Sequence, residues 1–352
     1  MAPATLSEKR ELLGLSLSHL EALVAELGEK PFRARQLFEW INKKNVSDFA
    51  AMSNLSAAFR DKLGEHCQVT SLGTHRSQLS QRDGTAKYLF KCADGELVES
   101  VFLPHDGRNT ACISTQVGCA MACAFCATGE SGFSRNLGAA EIIGQVNAIE
   151  RETGTELKNL VFMGMGEPLH NWEAVKETLE TLFSPAGRAW APRRVTISTC
   201  GVVSGIDALT ASGLKARLAI SLHSAFDETR SKIMPINRRY PLKELMRACR
   251  DYQTSTGQQL TYEYTLFAGL NDSELEAKAV AKLLRGLDAK VNLIPYNPVA
   301  GLPFQVPEFK NVLAFQKILK NAGIVTMIRT QKGEDIDAAC GQLRRRNSEE
   351  AA

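Results

Sequence analysis

Gln116-Val117-Gly118-Cys119-Ala120-Met121-Ala122-Cys123-Ala124-Phe125-Cys126 sets three thiols in one short loop, spaced C-x3-C-x2-C. With nine cysteines in 352 residues, about 0.006 chance occurrences of that spacing are expected, so accident is a poor explanation. The loop follows an apolar, β-rich run at 111–115, read as a strand. From there strands and helices alternate. Strands are expected at 160–163, 195–199, 216–222, 261–267, 291–295 and 324–329; helical periodicity marks 139–150, 241–253, 273–286 and 309–321. Such βα units imply a parallel sheet, open or curled into a barrel, with its chemistry at the carboxyl ends of the strands. A structural zinc site wants four ligands, and no second Cys/His pair stands at finger spacing. Three thiolates suit a 4Fe-4S cluster with one iron left open to a small molecule. Zinc or a purely structural role is the alternative.

At this length about two domains are expected. Hydrophobic residues make up 44% and charged residues 23%, the usage of an ordinary globular chain. Lys+Arg 42 against Asp+Glu 39 gives +3, which excludes a strongly basic nucleic-acid coat but leaves room for a local patch. No stretch of about 20 apolar residues suggests a membrane span. The opening MAPATLSEKRELLGL is too polar for a secretory core, so a cytoplasmic protein is expected. Nine cysteines without an export signal favour metal or catalytic use over a disulfide scaffold.

The first hundred residues read differently. Ser18 is expected to cap a helix that buries Leu20, Leu23, Val24 and Leu27 and ends at Gly28. A second helix follows Pro31, with Phe32, Leu37, Phe38 and Ile41 inward. Its polar side carries Lys30, Arg33, Arg35, Lys43 and Lys44 against Glu39, an RNA contact or a solvated face. TAKYLFKC and ELVESVFLP, joined at Ala93-Asp94-Gly95, read as a β-hairpin. The division expected is 1–104 for the helical domain plus hairpin, 105–333 for the core, and 334–352 for a tail. The end of that tail, RRRNSEEAA, is read as disordered, its arginines either touching RNA or solvated.

Polar residues gather at the strand ends. Met163-Gly164-Met165-Gly166-Glu167-Pro168 follows the run at 160–162. Its glycines allow a ligand close to the backbone, and Glu167 offers an anion to an ammonium group. Ser198, Ser221-Leu222-His223 and Asn297 stand at later strand ends, each equally able to close a strand locally. His223 is a proton carrier or a hydrogen-bonded structural histidine.

The cysteine loop, with Phe125 before its third cysteine, resembles the radical S-adenosylmethionine signature. MGMGEP is similar to that superfamily's Gly-Gly-Glu-Pro element. The resemblance implies a partial (βα)6 barrel in an α/β protein. It also implies a 4Fe-4S cluster on Cys119, Cys123 and Cys126, and an S-adenosylmethionine whose cleavage yields a 5′-deoxyadenosyl radical. It makes Gly166, Glu167, Ser198, Ser221, Leu222, His223 and Asn297 the expected ligands of that molecule. QVGCAMACAFCATG, MGMGEP, RRVTIST, SLHS, PIN, NLIPYNP and DIDAACGQL, in this order, resemble the RlmN/Cfr family of RNA adenine methyltransferases over about residues 20–345. GEKPFRARQLFEWI is similar to the N-terminal RNA-binding domain of the RlmN branch.

What that resemblance implies is specific. The RlmN branch methylates carbon 2 of an adenine in 23S ribosomal RNA, and some members an adenine in tRNA; the Cfr branch methylates carbon 8. Carbon 2 is electrophilic and its C–H is not acidic, so a radical route makes chemical sense. Two S-adenosylmethionine molecules are used per turnover. By match to the family, Cys340 is the methyl carrier, Cys112 the resolving thiol that ends in a transient disulfide, and Glu99 the proton acceptor. Each has a bland alternative, a buried thiol or a surface strand carboxylate. Cys67, Cys92, Cys200 and Cys249 match no required position and are read as structural. A flavodoxin-type electron donor and a monomer are expected. A radical activase of a protein glycine would not need Cys112 and Cys340, and an iron–sulfur carrier would not cleave S-adenosylmethionine.

Overall fold

The computed structural model describes residues 9–344. By internal contacts the chain forms two units. The first comprises residues up to 73 with two later segments, 137–155 and 173–191. Three helices open it: α1 (Leu17–Glu26), α2 (Phe32–Asn42) and α3 (Ala57–His66). Leu20, Leu23 and Val24 of α1 meet Leu37, Phe38 and Ile41 of α2 in one buried cluster, as the 3.6-residue spacing of these apolar side chains requires. Two expectations change here. Ser16, not Ser18, caps α1, its hydroxyl accepting from the His19 N–H. Phe32, expected inward, is 53% exposed. It stands in the first turn of α2 with the Arg33 guanidinium 4.8 Å from its ring centre. Helix α4 (Ala139–Thr153) runs three residues beyond its expected end and stops at Gly154 in the left-handed region, where glycine carries no Cβ penalty.

The second unit is built on a ten-stranded sheet. Its strands are β1 (Gly73–Leu79), β2 (Ala86–Lys91), β3 (Leu97–Leu103), β4 (Thr110–Cys112), β5 (Asn159–Phe162), β6 (Val195–Thr199), β7 (Arg217–Ser221), β8 (Leu260–Leu266), β9 (Ala289–Pro295) and β10 (Val325–Ile328). Strands β4 to β10 are parallel neighbours in sequence order. This is the α/β architecture expected of a curled but unclosed barrel: no pairing among the described residues joins β10 back to β4. The expected hairpin is present, with Tyr88 opposite Ser100 and Leu89 opposite Glu99. It extends the sheet antiparallel through Val101, which faces Cys112 of β4. By contacts and by hydrogen bonding, the hairpin therefore goes with the sheet and not with the helices before it. Strand β8 is buried along its whole length, as a strand covered on both faces must be. The expectation for the tail beyond Arg344 lies outside the described residues. No helix of the described residues is long and apolar enough to cross a membrane.

Candidate active site

The cysteine loop is presented by a ribbon that the sequence does not announce. Gln116–Gly118 pairs antiparallel with Phe133–Asn136, and the Cys119 N–H donates to the Gly132 carbonyl at 2.8 Å. Gly118 sits at φ +76°, and a Cβ there would stand 1.9 Å from the Gly132 oxygen. Only glycine fits. Downstream, the Ala124 N–H bonds the Ile233 carbonyl at 2.9 Å, and the Cys126 N–H the Cys123 carbonyl at 3.1 Å. The three thiols thus open on one cavity of about 170 Å³ at the carboxyl ends of the strands.

Burial pushes the Cys119 thiol up to about 12, and burial with the neighbouring Cys126 and Cys119 raises Cys123 as well. Among the described residues no three Cys, His, Asp or Glu side chains close around a single point. A mononuclear ion needs its donors converging on one centre. A polynuclear cluster bridges its own irons with sulfide and takes thiolates spread around its outside. The donor set fits the cluster, which takes its cysteines as thiolates.

Next on the wall is the Gly164–Pro168 turn. A Cβ on Gly164 would lie 2.6 Å from the Ile113 carbonyl, and one on Gly166, at φ +97°, 2.6 Å from the Gln116 side chain. These two glycines draw the chain close to the cysteine ribbon. Gln116 accepts from the Glu167 N–H at 2.9 Å. Glu167 is fully enclosed. Burial raises its pKa, opposed by the N–H groups of Cys200 at 2.7 Å and Leu169 at 3.0 Å. A bound ammonium group would favour the ionised form of this carboxyl.

Ser198, Ser221, His223 and Asn297 all line the same cavity; Leu222 is buried behind it, its N–H spent on the Glu263 carbonyl. His223 Nδ1 accepts the Thr265 N–H at 2.8 Å, and its ring packs edge-on to Phe125 at 4.9 Å. Burial, then the Arg230 charge, lowers it to about 3, so the ring is neutral with its proton on Nε2. A structural acceptor is what this geometry provides, and a proton carrier near neutral pH is not.

The expected methyl carrier and resolving thiol come together. Cys340 lines the cysteine-loop cavity and also a second, smaller one, whose other walls include Cys112, Val101, Met163 and Ile294. Burial, then the neighbouring Cys340, pushes Cys112 up to about 12. Burial likewise raises the Cys340 thiol, although the residue as a whole is exposed, while the Arg329 guanidinium opposes the rise at both. The segment around Cys340 is held by its backbone. Asn297 Nδ2 donates to the Cys340 carbonyl at 2.9 Å, the Ala127 N–H to Gly341 at 2.9 Å, and the Thr128 hydroxyl to Leu343.

Glu99 is not on the surface. Its carboxylate lies 3.5 Å from Lys87 Nζ, both side chains buried, and it accepts from the Arg344 N–H at 3.0 Å. It lines neither cavity, but strand alternation sets it on the face of Val101 and Leu103, which do line the second one.

Four residues of the site escaped the sequence. Arg230, fully buried, donates to the carbonyls of Cys200 (2.7 Å), Ser221 (3.0 Å) and Leu222 (3.0 Å) and to Asn237 Oδ1 (2.8 Å), tying two strand ends to the turn that holds Asn237. Its only signal was the neighbouring Pro235-Ile236-Asn237. Glu263 and Arg329 line the cavity on β8 and just after β10, and a charge in a strand reads as surface. Cys200, read as structural, lines the cavity beside Glu167; Cys67, Cys92 and Cys249 are buried as expected.

A parallel partial barrel with three thiols at its open end, facing a glycine-lined acidic turn, defines a radical S-adenosylmethionine protein. The profile of the radical SAM superfamily matches residues 113–279. That of the ribosomal RNA large subunit methyltransferase N-terminal domain matches residues 10–69. The dual-specificity RNA methyltransferase RlmN of Rhodospirillum rubrum is 45% identical over 95% of this chain and 80% of its own length. The protein of the same description from Geotalea uraniireducens is 44% identical over 96% and 98%. A crystal structure of a radical SAM methyltransferase from Sphaerobacter thermophilus superposes with a TM-score of 0.90 at 43% identity, over 95% of this chain and 99% of that one. The chain belongs to the RlmN family of radical SAM RNA methyltransferases.

Proposed function

We propose that the protein methylates carbon 2 of an adenine in 23S ribosomal RNA, and an adenine in tRNA, through a methyl-cysteine and a transient disulfide. The observation that carries this reading is the double placement of Cys340, which walls the cysteine-loop cavity and also shares a cavity with Cys112. When bound, the cluster on Cys119, Cys123 and Cys126, with two molecules of S-adenosylmethionine per turnover, supplies the electron, the methyl group and the hydrogen-abstracting radical. Gly166 and Glu167 receive the methionine end; Ser198, Ser221, His223 and Asn297 frame the rest, with Leu222 packed behind them.

Cys340 takes the methyl group on its sulfur, with Arg329 stabilising the thiolate that must attack. After one hydrogen is abstracted from that methyl, its carbon bonds carbon 2 of the base. The second cavity, walled by Val101, Leu103, Val161 and Ile294 with Arg329 and Lys332, suits a flat purine and its phosphate. Glu99 accepts the proton that leaves the base. The adduct's unpaired electron passes to the one-electron carrier. The Cys112 thiolate then attacks the Cys340 sulfur, and the carbon–sulfur bond breaks with its electron pair on the methylene carbon. That carbon takes up the proton given up by Cys112 to become the methyl group, and a Cys112–Cys340 disulfide remains for an external reductant to open. A flavodoxin-type protein is the proposed electron donor, and the enzyme works as a monomer in the cytoplasm.

Mass spectrometry of ribosomal RNA and tRNA from cells with and without the gene tests the target. Loss of 2-methyladenosine on deletion is the expected result; loss of 8-methyladenosine instead would move the reaction to carbon 8.

A further inference from the structure

Glu263 poses a question that the reaction leaves open. It projects from the middle of β8 into the cysteine-loop cavity and is buried. Its Oε1 accepts from Asn292 Nδ2 at 2.9 Å. Its Oε2 is buried and has no hydrogen-bond partner, the nearest cation being Arg329 Nη1 at 3.9 Å. Asn292 Oδ1 and Asn297 Oδ1 are buried and equally unpartnered, and Asn297 stands on the same cavity wall. Orphan acceptors inside a protein are costly and uncommon, and a cluster of them beside a cavity calls for a ligand that brings donors.

We propose that Glu263 accepts a hydrogen bond from the adenosyl half of S-adenosylmethionine, either a ribose O–H or the adenine amine N–H. The inference rests on the reading of this cavity as the S-adenosylmethionine site. The methionine half has one donor group, its ammonium, and Glu167 serves that from the turn after β5. Glu263 stands three strands further on, about 14 Å along the sheet at ordinary strand spacing. The sulfonium has no hydrogen to donate. What remains are the two ribose hydroxyls and the amine, the donors that an unpartnered carboxylate oxygen lacks.

Glu263→Leu tests this, because leucine fills the space, offers no acceptor and removes the buried charge. Binding of S-adenosylmethionine to the anaerobic, cluster-loaded protein is measured by equilibrium dialysis, and thermal melting of the cluster-free protein in parallel. The expected result is an affinity roughly ten- to a hundred-fold weaker with a melting temperature equal to or above wild type. Three further ligands, lacking the ribose 2′-hydroxyl, the 3′-hydroxyl or the 6-amino group, assign the donor. One of them should lose affinity on the wild-type protein and lose no more on Glu263→Leu.

Unchanged S-adenosylmethionine affinity in Glu263→Leu would overturn the proposal. So would equal penalties for all three analogues on both proteins, or a lowered melting temperature with affinity intact. If wild-type protein itself binds no S-adenosylmethionine, the cavity assignment fails, an outcome distinct from a failure of Glu263 alone.

Discussion

His223 shows how one side chain can be read for stability as well as for its place in the site. Its pKa, about 3, lies below the ordinary 6.5, so the folded protein binds fewer protons than the unfolded chain between those values. The contribution is therefore fully present above pH 6.5 and is lost as the pH falls toward 3, at about 1.4 kcal/mol per unit. Urea unfolding of the cluster-free protein should show about 2 kcal/mol less stability at pH 5 than at pH 7 from this group. The backbone at 223 has φ +57°, which asparagine tolerates, and its amide oxygen can accept the Thr265 N–H. His223→Asn should flatten that part of the pH profile; an unaltered profile would rule His223 out as its source. Gly166→Ala carries a second residue-scale expectation. A Cβ at φ +97°, 2.6 Å from Gln116, must displace the amide that holds Glu167. S-adenosylmethionine binding should fall at least tenfold while the fold survives, by dialysis and circular dichroism.

At the scale of elements, the periodic parts were legible and the irregular parts were not. Strands β4 to β10 and helices such as Phe309–Asn321 lie within three residues of expectation, because buried strands and amphipathic helices write their burial into the sequence. Strand β1 was missed: GTHRSQL shows no alternation and is largely exposed, so its strand state comes from pairing with β2. The ribbon Gln116–Gly118 was missed because three residues cannot display a period. The cap of α1 was misplaced by two residues, since Ser16 and Ser18 are chemically equivalent and their hydroxyls lie 2.9 Å apart. That difference is measurable. Ser16→Ala should destabilise the first unit by about 1 kcal/mol and Ser18→Ala by a few tenths at most, compared by denaturant midpoints. Equal losses would restore Ser18 as the cap.

For the whole molecule, the cysteine loop, the acidic turn and the two distant thiols could be named from the sequence. Their convergence could not, because residues 112 and 340 meet only through the register of the sheet and the course of the chain after β10. The buried charges Arg230, Glu263 and Lys87 were invisible for a related reason: a charge is buried only when the rest of the fold supplies its partners. The division of labour between the thiols is tested on the intact enzyme. Cys340→Ala should keep its iron and transfer no methyl group to RNA. Cys112→Ala should accumulate protein joined covalently to RNA, seen as a slow electrophoretic band that nuclease collapses. Normal turnover by Cys112→Ala without an adduct would rule out its resolving role.

Apart from Gln342, whose side-chain amide accepts the Ala339 N–H and donates to the Pro298 carbonyl, the segment around Cys340 is held through peptide groups: the carbonyls of Asp337, Cys340, Gly341 and Leu343 accept, and the Arg344 N–H donates. None of these peptide handles depends on which side chain the position carries. The address of the reactive sulfur is thus written mostly in the receiving residues Lys87, Glu99, Thr128 and Asn297, and less in the segment that is received. A library randomised over 337–344 should consequently tolerate drift at Asp337 and Arg344, and little at Cys340, Gly341, the hydrogen-bonded Gln342 and the buried Ala338, Ala339 and Leu343. The receiving positions, scattered across the chain, should prove nearly immutable.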